Sequence, residues 1–321
     1  MPKAMRLSFD AAKPVPRAIQ KRSLYWAARV RAGIPMSTTR PAGEAPAFVI
    51  GCGRSGTTVL GKALGLNPAV RYLNEPFHLW AAVSPLTDVT NRFHLGEARC
   101  ILTGAHVDDK VRDRFSRLFL ASSGSSKQLL LEKSPANTMR IDFLRALAPE
   151  ARFVHIVRDG LEVVKSIARL ATSNAYQIAW LPNFSQWWGT NGIKWAILAR
   201  DGKEAGYFAG EVDGLRTHEQ RGAYEWLVSL GEVDRWRSAA GDRLLELTYT
   251  DLVREPGDQL ARVGEFLHLP ISDEWTRAAS SMITPVRTPE HGSVDLPPAM
   301  MAAFNERQEE LAFPGRARAQ A

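Results

Sequence analysis

The sequence predicts an α/β fold, in which a central parallel sheet is flanked by helices on both faces. Short apolar runs alternate with segments of helical periodicity, and a glycine-rich turn joins the first such strand to the first such helix. At 321 residues, 45% of them hydrophobic, the chain is long enough to bury one full core of this kind. Such alternation is typical of parallel strands whose crossover helices cover the sheet.

The individual elements follow from periodicity and from turn residues. The predicted strands are residues 47–50, 70–73, 128–132, 152–157 and 244–248. The predicted helices are about 57–66, 137–147, 161–170 and 257–267. Residues 171–221 break this rhythm, because they are rich in Trp, Gly and polar residues with no clear strand. We interpret this segment as an insertion or a lid.

The positive charge of the chain is concentrated at its N-terminus. The net charge is +7, and residues 1–45 hold nine cations and two carboxylates, so the remainder is neutral. This distribution argues against a nucleic-acid-binding protein and favours an enzyme core with a basic N-terminal arm at 1–45. Ile19, Trp26 and Val30 have roughly helical spacing there. Two interpretations of the arm remain open. It can form an amphipathic helix in peripheral contact with a membrane, or it can be solvated or docked on the core.

Cysteine usage and hydropathy predict the compartment. Cys52 and Cys100 are too few for a disulfide framework and do not form a metal-ligand pattern, which favours a reducing compartment. No run of 18 apolar residues and no signal peptide occurs in the sequence. We therefore expect a cytoplasmic protein, with contact at a membrane surface as the open alternative above.

The turn after the first strand, residues 51–58 (GCGRSGTT), has Walker A spacing between a strand and a helix. Helix-start amides and the helix dipole there make a site for a phosphate group. Thr57 replaces the usual lysine, Arg54 adds a cation earlier in the loop, and no apolar strand ends in an acidic residue placed to hold Mg²⁺. A P-loop NTPase or small-molecule kinase therefore remains only an alternative. The alternative without a ligand is a purely structural glycine turn, in which Arg54 pairs with a neighbouring carboxylate.

Three segments resemble the nucleotide-binding elements of sulfotransferases that use 3′-phosphoadenosine 5′-phosphosulfate (PAPS). FVIGCGRSGTTVLGKAL is similar to the family's 5′-phosphosulfate loop, in the version of the bacterial and tyrosylprotein sulfotransferase branches. FVHIVRDGLEVVKSIARL resembles the 3′-phosphate element, and LLELTYTDLVREPGDQLARVGEFLHLP a further strand-helix unit. The resemblance runs over residues 47–170 and 243–270 in the family's order.

This resemblance implies a P-loop-containing three-layer sandwich that binds PAPS and releases adenosine 3′,5′-bisphosphate (PAP), without a metal. It implies a sulfotransferase domain at 46–295, with 171–221 as the acceptor lid or insertion, and a C-terminal helix and tail at 296–321. The residues that match the family's donor-binding positions are Arg54, Ser55, Gly56, Thr57, Thr58, Arg158, Ser166 and Tyr249.

The resemblance also indicates the catalytic residues. Arg54 would reach the 5′-phosphosulfate, and Lys133 matches a lysine that the family places near the transferring sulfuryl group. Many cytosolic members have a histidine base two residues after that lysine, where this chain has Pro135. Glu75 matches the glutamate base of the tyrosylprotein and some bacterial enzymes, and a general base fits its chemistry. His78, one helical turn later, is the competing base.

The acceptor is less well defined by the sequence than the donor. Six aromatic residues lie close together in the segment interpreted as an insertion: Tyr176, Trp180, Phe184, Trp187, Trp188 and Trp195. They can form either platforms for an acceptor or a packed cap over the sheet. Tyr224 and Trp226 are candidates to face adenine, and Arg287 is the single basic residue near the family's closing loop. We expect a carbohydrate or glycolipid hydroxyl, or more broadly a small-molecule, glycan or lipid-linked acceptor, and no nucleic acid. A non-catalytic basic binding module is the third hypothesis.

Overall fold

The computed structural model describes residues 14–34, 45–94, 96–121, 128–173, 184–284 and 292–320. Its strands are β1 Ala47–Ile50, β2 Val70–Asn74, β3 Leu129–Lys133, β4 Arg152–Val157, β5 Phe184–Ser185, β6 Gly189–Thr190, β7 Leu244–Thr248, β8 Ser293–Leu296 and β9 Arg316–Ala319. Its helices are α1 Pro14–Gly33, α2 Thr57–Leu64, α3 Phe77–Val83, α4 Asp109–Phe115, α5 Ile141–Leu147, α6 Gly160–Thr172, α7 Ile193–Glu204, α8 His218–Ala240, α9 Tyr249–Arg254, α10 Pro256–Phe266, α11 Asp273–Ser281 and α12 Pro298–Glu310.

The main sheet has five strands in the order β2-β3-β1-β4-β7, and every neighbouring pair is parallel. Ala47 of the central strand β1 lies opposite Leu131 on one side and Arg152 on the other. Because the chain passes to β3 on one side of β1 and to β4 on the other, the crevice for a ligand lies after β1. The predicted α/β fold with a central parallel sheet is confirmed.

Alternating residues of β1 face two separate apolar cores, which makes the fold three layers thick. Phe48 and Ile50 pack with buried side chains of α3, α4, α5 and α8. Ala47 and Val49 pack with α2, α10 and α11 on the opposite face. All four side chains are completely buried. A strand buried on both faces explains why this segment is a continuous apolar run in the sequence.

Three of the five main strands have the predicted bounds, and the segment after β3 differs from its prediction. The predicted helix 137–147 begins as a 3₁₀ helix, Pro135–Met139, and α5 starts only at Ile141. Arg140, between the two, has the non-helical angles φ −136° and ψ 22°. Asn137 also donates a side-chain hydrogen bond to the buried Glu132. These contacts separate the segment into two short helices.

Two predicted irregular regions contain regular structure. Within 171–221, β5 and β6 form an antiparallel pair, α7 follows, and α8 begins at His218. The C-terminal segment holds α12 as predicted and also the strand β9, which pairs in parallel with β8. Arg318 of β9 pairs with Asp295 of β8. Among the described helices, none is long and apolar enough to cross a membrane.

Candidate active site

The glycine loop after β1 is held in a conformation that its glycines permit. Gly51 has φ 149° and Gly56 has φ 95°, both in the range that other residues rarely adopt. A Cβ atom at Gly51 would lie 2.4 Å from the Ile156 carbonyl oxygen. The Gly51 N–H donates to Thr138 Oγ1 at 2.7 Å. The loop then leads directly into α2 at Thr57, so the first amides of that helix are positioned to bind an anion.

Arg54 is the one non-glycine residue of this loop with positive φ, at 75°. Its Nε donates to Ser166 Oγ at 3.0 Å, across 112 positions of sequence. Arg158, which follows β4, donates from Nη1 to the Arg54 carbonyl oxygen at 3.2 Å. Three residues that the sequence assigned to donor binding therefore meet at one place.

The two guanidinium groups leave this place short of negative charge. Burial and the neighbouring charge of Arg158 both lower the pKa of Arg54. Arg158 is compensated in part by Glu162, whose carboxylate accepts from its Nε at 2.6 Å. An anionic ligand between the two cations would relieve the remaining repulsion. The arrangement therefore fits a phosphate or sulfate group.

Tyr249 closes the same region from the other side. The Arg158 guanidinium lies over its ring, 4.6 Å from the centroid. A Cβ atom at Gly56 would lie 2.4 Å from the Tyr249 ring, so the ring packs directly on the loop glycine. Thr248 caps the following helix by accepting from the Asp251 N–H. Tyr249 is thus fixed at the carboxyl end of β7, beside the predicted donor site.

Lys133, Thr58 and Glu75 form a second cluster at the sheet edge. Lys133 Nζ donates to Thr58 Oγ1 at 2.9 Å and to Glu75 Oε1 at 2.5 Å. The Lys133 side chain is 0% exposed, whereas that of Glu75 is 36% exposed. Lys133 therefore reaches from the end of β3 to the start of α2. It supplies there a cation in place of the loop lysine that Thr57 replaces.

Glu75 has an unusual backbone. Its φ is 50°, a value uncommon for a residue other than glycine, and its N–H donates to the Lys133 carbonyl oxygen at 2.7 Å. Strained backbone of this kind is concentrated at functional sites. The half-exposed carboxylate can accept a proton from a bound hydroxyl, and His78 lies one turn further along α3. Burial and the charge of Lys21 lower the pKa of His78.

A cavity of about 220 Å³ opens beside Glu75. It is lined by Lys21, Asn74, Glu75, Phe77, His78, Arg92 and Phe93. Sequence motifs indicated Glu75 and His78 but none of the other lining residues, because α1 and the loop at Arg92 meet the end of β2 only through tertiary packing. The adjacency of Phe77 and His78 to Glu75 was the one signal in the sequence.

The described part of the aromatic segment packs against the glycine loop. A Cβ atom at Gly53 would lie 2.3 Å from the Trp187 ring. Trp187 Nε1 donates to the Glu225 carboxylate at 2.8 Å, and Lys194 pairs with the same carboxylate at 2.7 Å. Lys194 Nζ also lies 4.0 Å from the Trp187 ring centroid. These contacts favour the packed cap over the open platform for this residue.

The remaining aromatic residues extend this packing. Trp195 contacts Trp188 on one side and Tyr224 on the other, both edge to face. Tyr224 and Trp226 are both 0% exposed, so the interpretation that they face adenine is wrong: α8 directs them into the core. Tyr176, Trp180, the Phe184 side chain, Arg287 and the Ile19 side chain lie outside the described residues.

The family comparison matches this geometry. Residues 46–192 match the model of the sulfotransferase family. The match includes the glycine loop, Glu75, Lys133, Arg158 and Ser166, and ends before Tyr249. These residues are therefore similar to the sulfotransferase family over a little less than half of the chain. The chain is accordingly a transferase enzyme, and the resemblance inferred from its motifs is confirmed.

Solved structures of sulfotransferases are similar to this chain. A sulfotransferase from Mycobacterium avium is 15% identical, with a TM-score of 0.50 over 96% of this chain and 86% of that one. The sulfotransferase domain of the Synechococcus PCC 7002 olefin synthase is 20% identical, with a TM-score of 0.48 over 87% of this chain and 99% of that one. No curated protein sequence matches the chain. In the described residues, no group of three or more His, Cys, Asp or Glu side chains could hold a metal ion.

Proposed function

We propose that this sulfotransferase transfers a sulfuryl group from PAPS to a hydroxyl of a carbohydrate or glycolipid acceptor. The observation that carries the proposal is the meeting of Arg54, Arg158 and Ser166 beside the glycine loop. PAPS differs from adenosine 5′-phosphosulfate by a 3′-phosphate, so its recognition needs a second anion site. Arg158 and the Ser166 hydroxyl provide that site, while the loop amides and Thr58 face the 5′ end.

The donor fits the residues that are present. The loop glycines lack side chains, so a phosphate group can approach the backbone closely. The Tyr249 ring packs on Gly56 at the edge of the site, where the nucleoside of the donor would lie. The charge of two guanidinium groups and one buried lysine suits the phosphates and the sulfuryl group. Within the described residues, the Arg54 side chain hydrogen-bonds to the Ser166 hydroxyl and to no carboxylate, so its remaining N–H groups can bind a ligand.

Each catalytic residue has one task in the transfer. Glu75 accepts the proton of the acceptor hydroxyl, as the acceptor oxygen forms a bond to sulfur. The bond between sulfur and the 5′-phosphate oxygen breaks, and PAP leaves. Lys133 and Arg54 stabilise the charge that develops on the bridging and sulfuryl oxygens. The Glu75–Lys133 pair at 2.5 Å places base and cation on adjacent sides of the reacting group.

Helix α1 offers a surface for a lipid-linked acceptor. Tyr25, Ala28 and Ala32 are buried against the core, whereas Trp26 and Val30 are 65% and 66% exposed. The helix belongs to the N-terminal arm, whose residues 1–45 have a net charge of +7. Its exposed apolar face together with this charge is complementary to an anionic bilayer. We therefore include peripheral contact with an anionic membrane surface in the proposal.

Sedimentation with vesicles tests this contact. We expect the protein to bind phosphatidylglycerol vesicles and not phosphatidylcholine vesicles. Replacing Trp26 and Val30 by serine should reduce the bound fraction several-fold, because each buried apolar side chain adds to the affinity. Equal binding to both vesicle types, or binding of the double variant as strong as that of the native protein, would contradict the proposed membrane contact.

The transfer itself is tested with ³⁵S-labelled PAPS and a cell extract. The native enzyme should label a hydroxyl compound, and the Glu75→Gln variant should label the same compound far more slowly. Glu97→Gln, which removes an exposed carboxylate outside the site, is the matched control. Absence of any labelled product from the native enzyme would refute the proposal.

A further inference from the structure

We propose that Glu132 is a positioning residue for the transfer, because its buried carboxylate holds the segment that carries Glu75 against Lys133. The inference rests on the proposed sulfuryl transfer, in which Glu75 accepts the proton of the acceptor hydroxyl. Glu132 immediately precedes Lys133 at the end of β3.

Glu132 and Lys133 lie on opposite faces of the sheet, because successive side chains of a strand alternate. Lys133 reaches Thr58 of α2, whereas Glu132 contacts Trp80 of α3. Glu132 is 0% exposed. Its carboxylate is therefore separated from the reacting groups by the sheet, and it can affect the transfer only through the residues that it holds.

The Glu132 carboxylate is a point where several segments meet. Within the described residues, three side chains donate hydrogen bonds to it: Trp80 Nε1 at 2.8 Å, Ser134 Oγ at 2.5 Å and Asn137 Nδ2 at 2.8 Å. Burial raises the pKa of Glu132 to about 7, and these hydrogen bonds together with the charge of Lys133 oppose the rise. A buried carboxylate that is satisfied in this way holds its donors in a defined geometry.

Trp80 connects this carboxylate to the predicted base. Its backbone N–H donates to the Pro76 carbonyl oxygen at 3.1 Å, in the first turn of α3, and Pro76 directly follows Glu75. The Trp80 ring is 2% exposed and lies 5.8 Å from the Phe115 ring and 4.5 Å from the Phe119 ring, measured between centroids. The packed ring and its N–H group therefore fix the start of α3, immediately after Glu75.

Glu75 is thus held between two attachments to β3. Its N–H donates to the Lys133 carbonyl oxygen at 2.7 Å, and its carboxylate accepts from Lys133 Nζ at 2.5 Å. The second attachment is the hydrogen bond from Trp80 of α3 to Glu132. A φ of 50° is uncommon for glutamate and persists only where the surrounding structure stabilises it. The bond between Trp80 and Glu132 contributes that support from the residue before Lys133.

The test separates turnover from donor binding in Glu132→Ala. With ³⁵S-labelled PAPS and the cell extract, we expect turnover about 30-fold below the native value, because a small displacement of a catalytic group can cost up to roughly 10²-fold in rate. The KM for PAPS and the PAP affinity should change less than about threefold, since the donor site is built from the loop before α2 and the end of β4. Calorimetry with PAP also counts the folded sites, and rates are expressed per PAP site.

Glu132→Gln and Glu232→Ala are the matched variants. Glutamine keeps the shape and one acceptor oxygen of the carboxylate, and a rotated Asn137 amide can accept from its N–H₂ group. Turnover of Glu132→Gln should therefore lie within about threefold of the native value. Glu232 is a buried carboxylate of α8 that accepts from the Tyr207 hydroxyl at 2.9 Å. Its alanine variant should keep native turnover per PAP site.

A double variant shows whether Glu132 acts through Glu75. In the Glu75→Gln background, Glu132→Ala should lower turnover by less than about threefold further, because the base that it positions is already absent. A loss as large as in the native background would show a merely structural role and overturn the inference. Native turnover in Glu132→Ala, or equal losses in Glu132→Ala and Glu132→Gln, would also overturn it.

Trp80→Phe keeps the test decisive if Glu132→Ala binds no PAP. This variant removes one donor to Glu132 and retains a buried aromatic ring. It should lower turnover about fivefold in the native background and less than about twofold in Glu75→Gln. Equal losses in the two backgrounds would overturn the inference. Absence of transfer by the native enzyme would instead refute the proposed function.

Discussion

The proposed donor end and the proposed acceptor end of this enzyme are built in different ways. The donor end consists of residues that directly follow parallel strands: the loop after β1, Lys133 at the end of β3, Arg158 after β4 and Tyr249 after β7. The acceptor end joins Lys21 of α1 and a loop held by a buried aspartate to the end of β2. Strand order therefore determines the first site, and packing between distant segments determines the second.

Lys133 connects the two ends, and its removal has the largest expected effect. Lys133→Met should lower turnover about 10³-fold, because a preorganised cation at the transferring group is lost. PAP affinity should fall less than tenfold, since the loop amides and Arg158 remain. Rates of transfer from labelled PAPS and calorimetry with PAP measure the two effects. Lys110→Met, an exposed change on α4, is the control. A loss confined to PAP binding would place Lys133 at the donor alone.

Glu75 tests where the acceptor end begins. Glu75→Gln should lower turnover roughly 10²-fold, in line with the loss of a general base. Donor affinity should stay within about threefold of the native value, because the Glu75 carboxylate accepts its hydrogen bond from Lys133 and is partly exposed to solvent. The same transfer assay and calorimetry measure both. Native turnover in this variant, with turnover lost in His78→Gln, would move the base to His78.

Arg158 tests the selectivity of the donor end. Arg158→Gln should weaken PAP binding about 10- to 100-fold, the range for losing a charge-assisted hydrogen bond. Binding of AMP, which has no 3′-phosphate, should change much less. Lys165→Gln is the control on the next helix, because Lys165 pairs with Glu219 instead. Equal losses for PAP and AMP would show that Arg158 only supports the loop through the Arg54 carbonyl.

Ser166 has the smallest expected effect. Ser166→Ala should weaken PAP binding about three- to tenfold, because a single hydroxyl contributes one hydrogen bond and helps to orient Arg54. Calorimetry with PAP measures the loss, and Ser173→Ala, an exposed change at the end of α6, is the control. An unchanged affinity would restrict the 3′-phosphate site to Arg158.

The sequence predicted which residues follow the parallel strands, and there is a physical reason for this. A strand buried on both faces is a continuous apolar run, and the residue that follows it lies at one edge of the sheet. The position of Arg158 after β4 and the glycine spacing of the loop are therefore local signals. The close approach of Lys133 to Thr58 was not local, although each residue could be assigned from its own motif.

The acceptor end had no such local signal. Lys21 and Arg92 are far apart in the chain and meet because Tyr25 stacks on Phe93, a contact that no periodicity indicates. The prediction that Trp226 faces adenine was wrong because its local sequence signal fits two different environments. Aromatic residues on an amphipathic helix can face a ligand or a core, and here Trp226 packs on Phe304.

The central claim is that the site recognises two phosphates of one nucleotide, and paired titrations with PAP and AMP test it most directly. With Arg158 and Ser166 at the second anion site, we predict that PAP binds at least about 100-fold more tightly than AMP, as two charge-assisted hydrogen bonds to the 3′-phosphate would provide. Equal affinities for PAP and AMP would contradict the account.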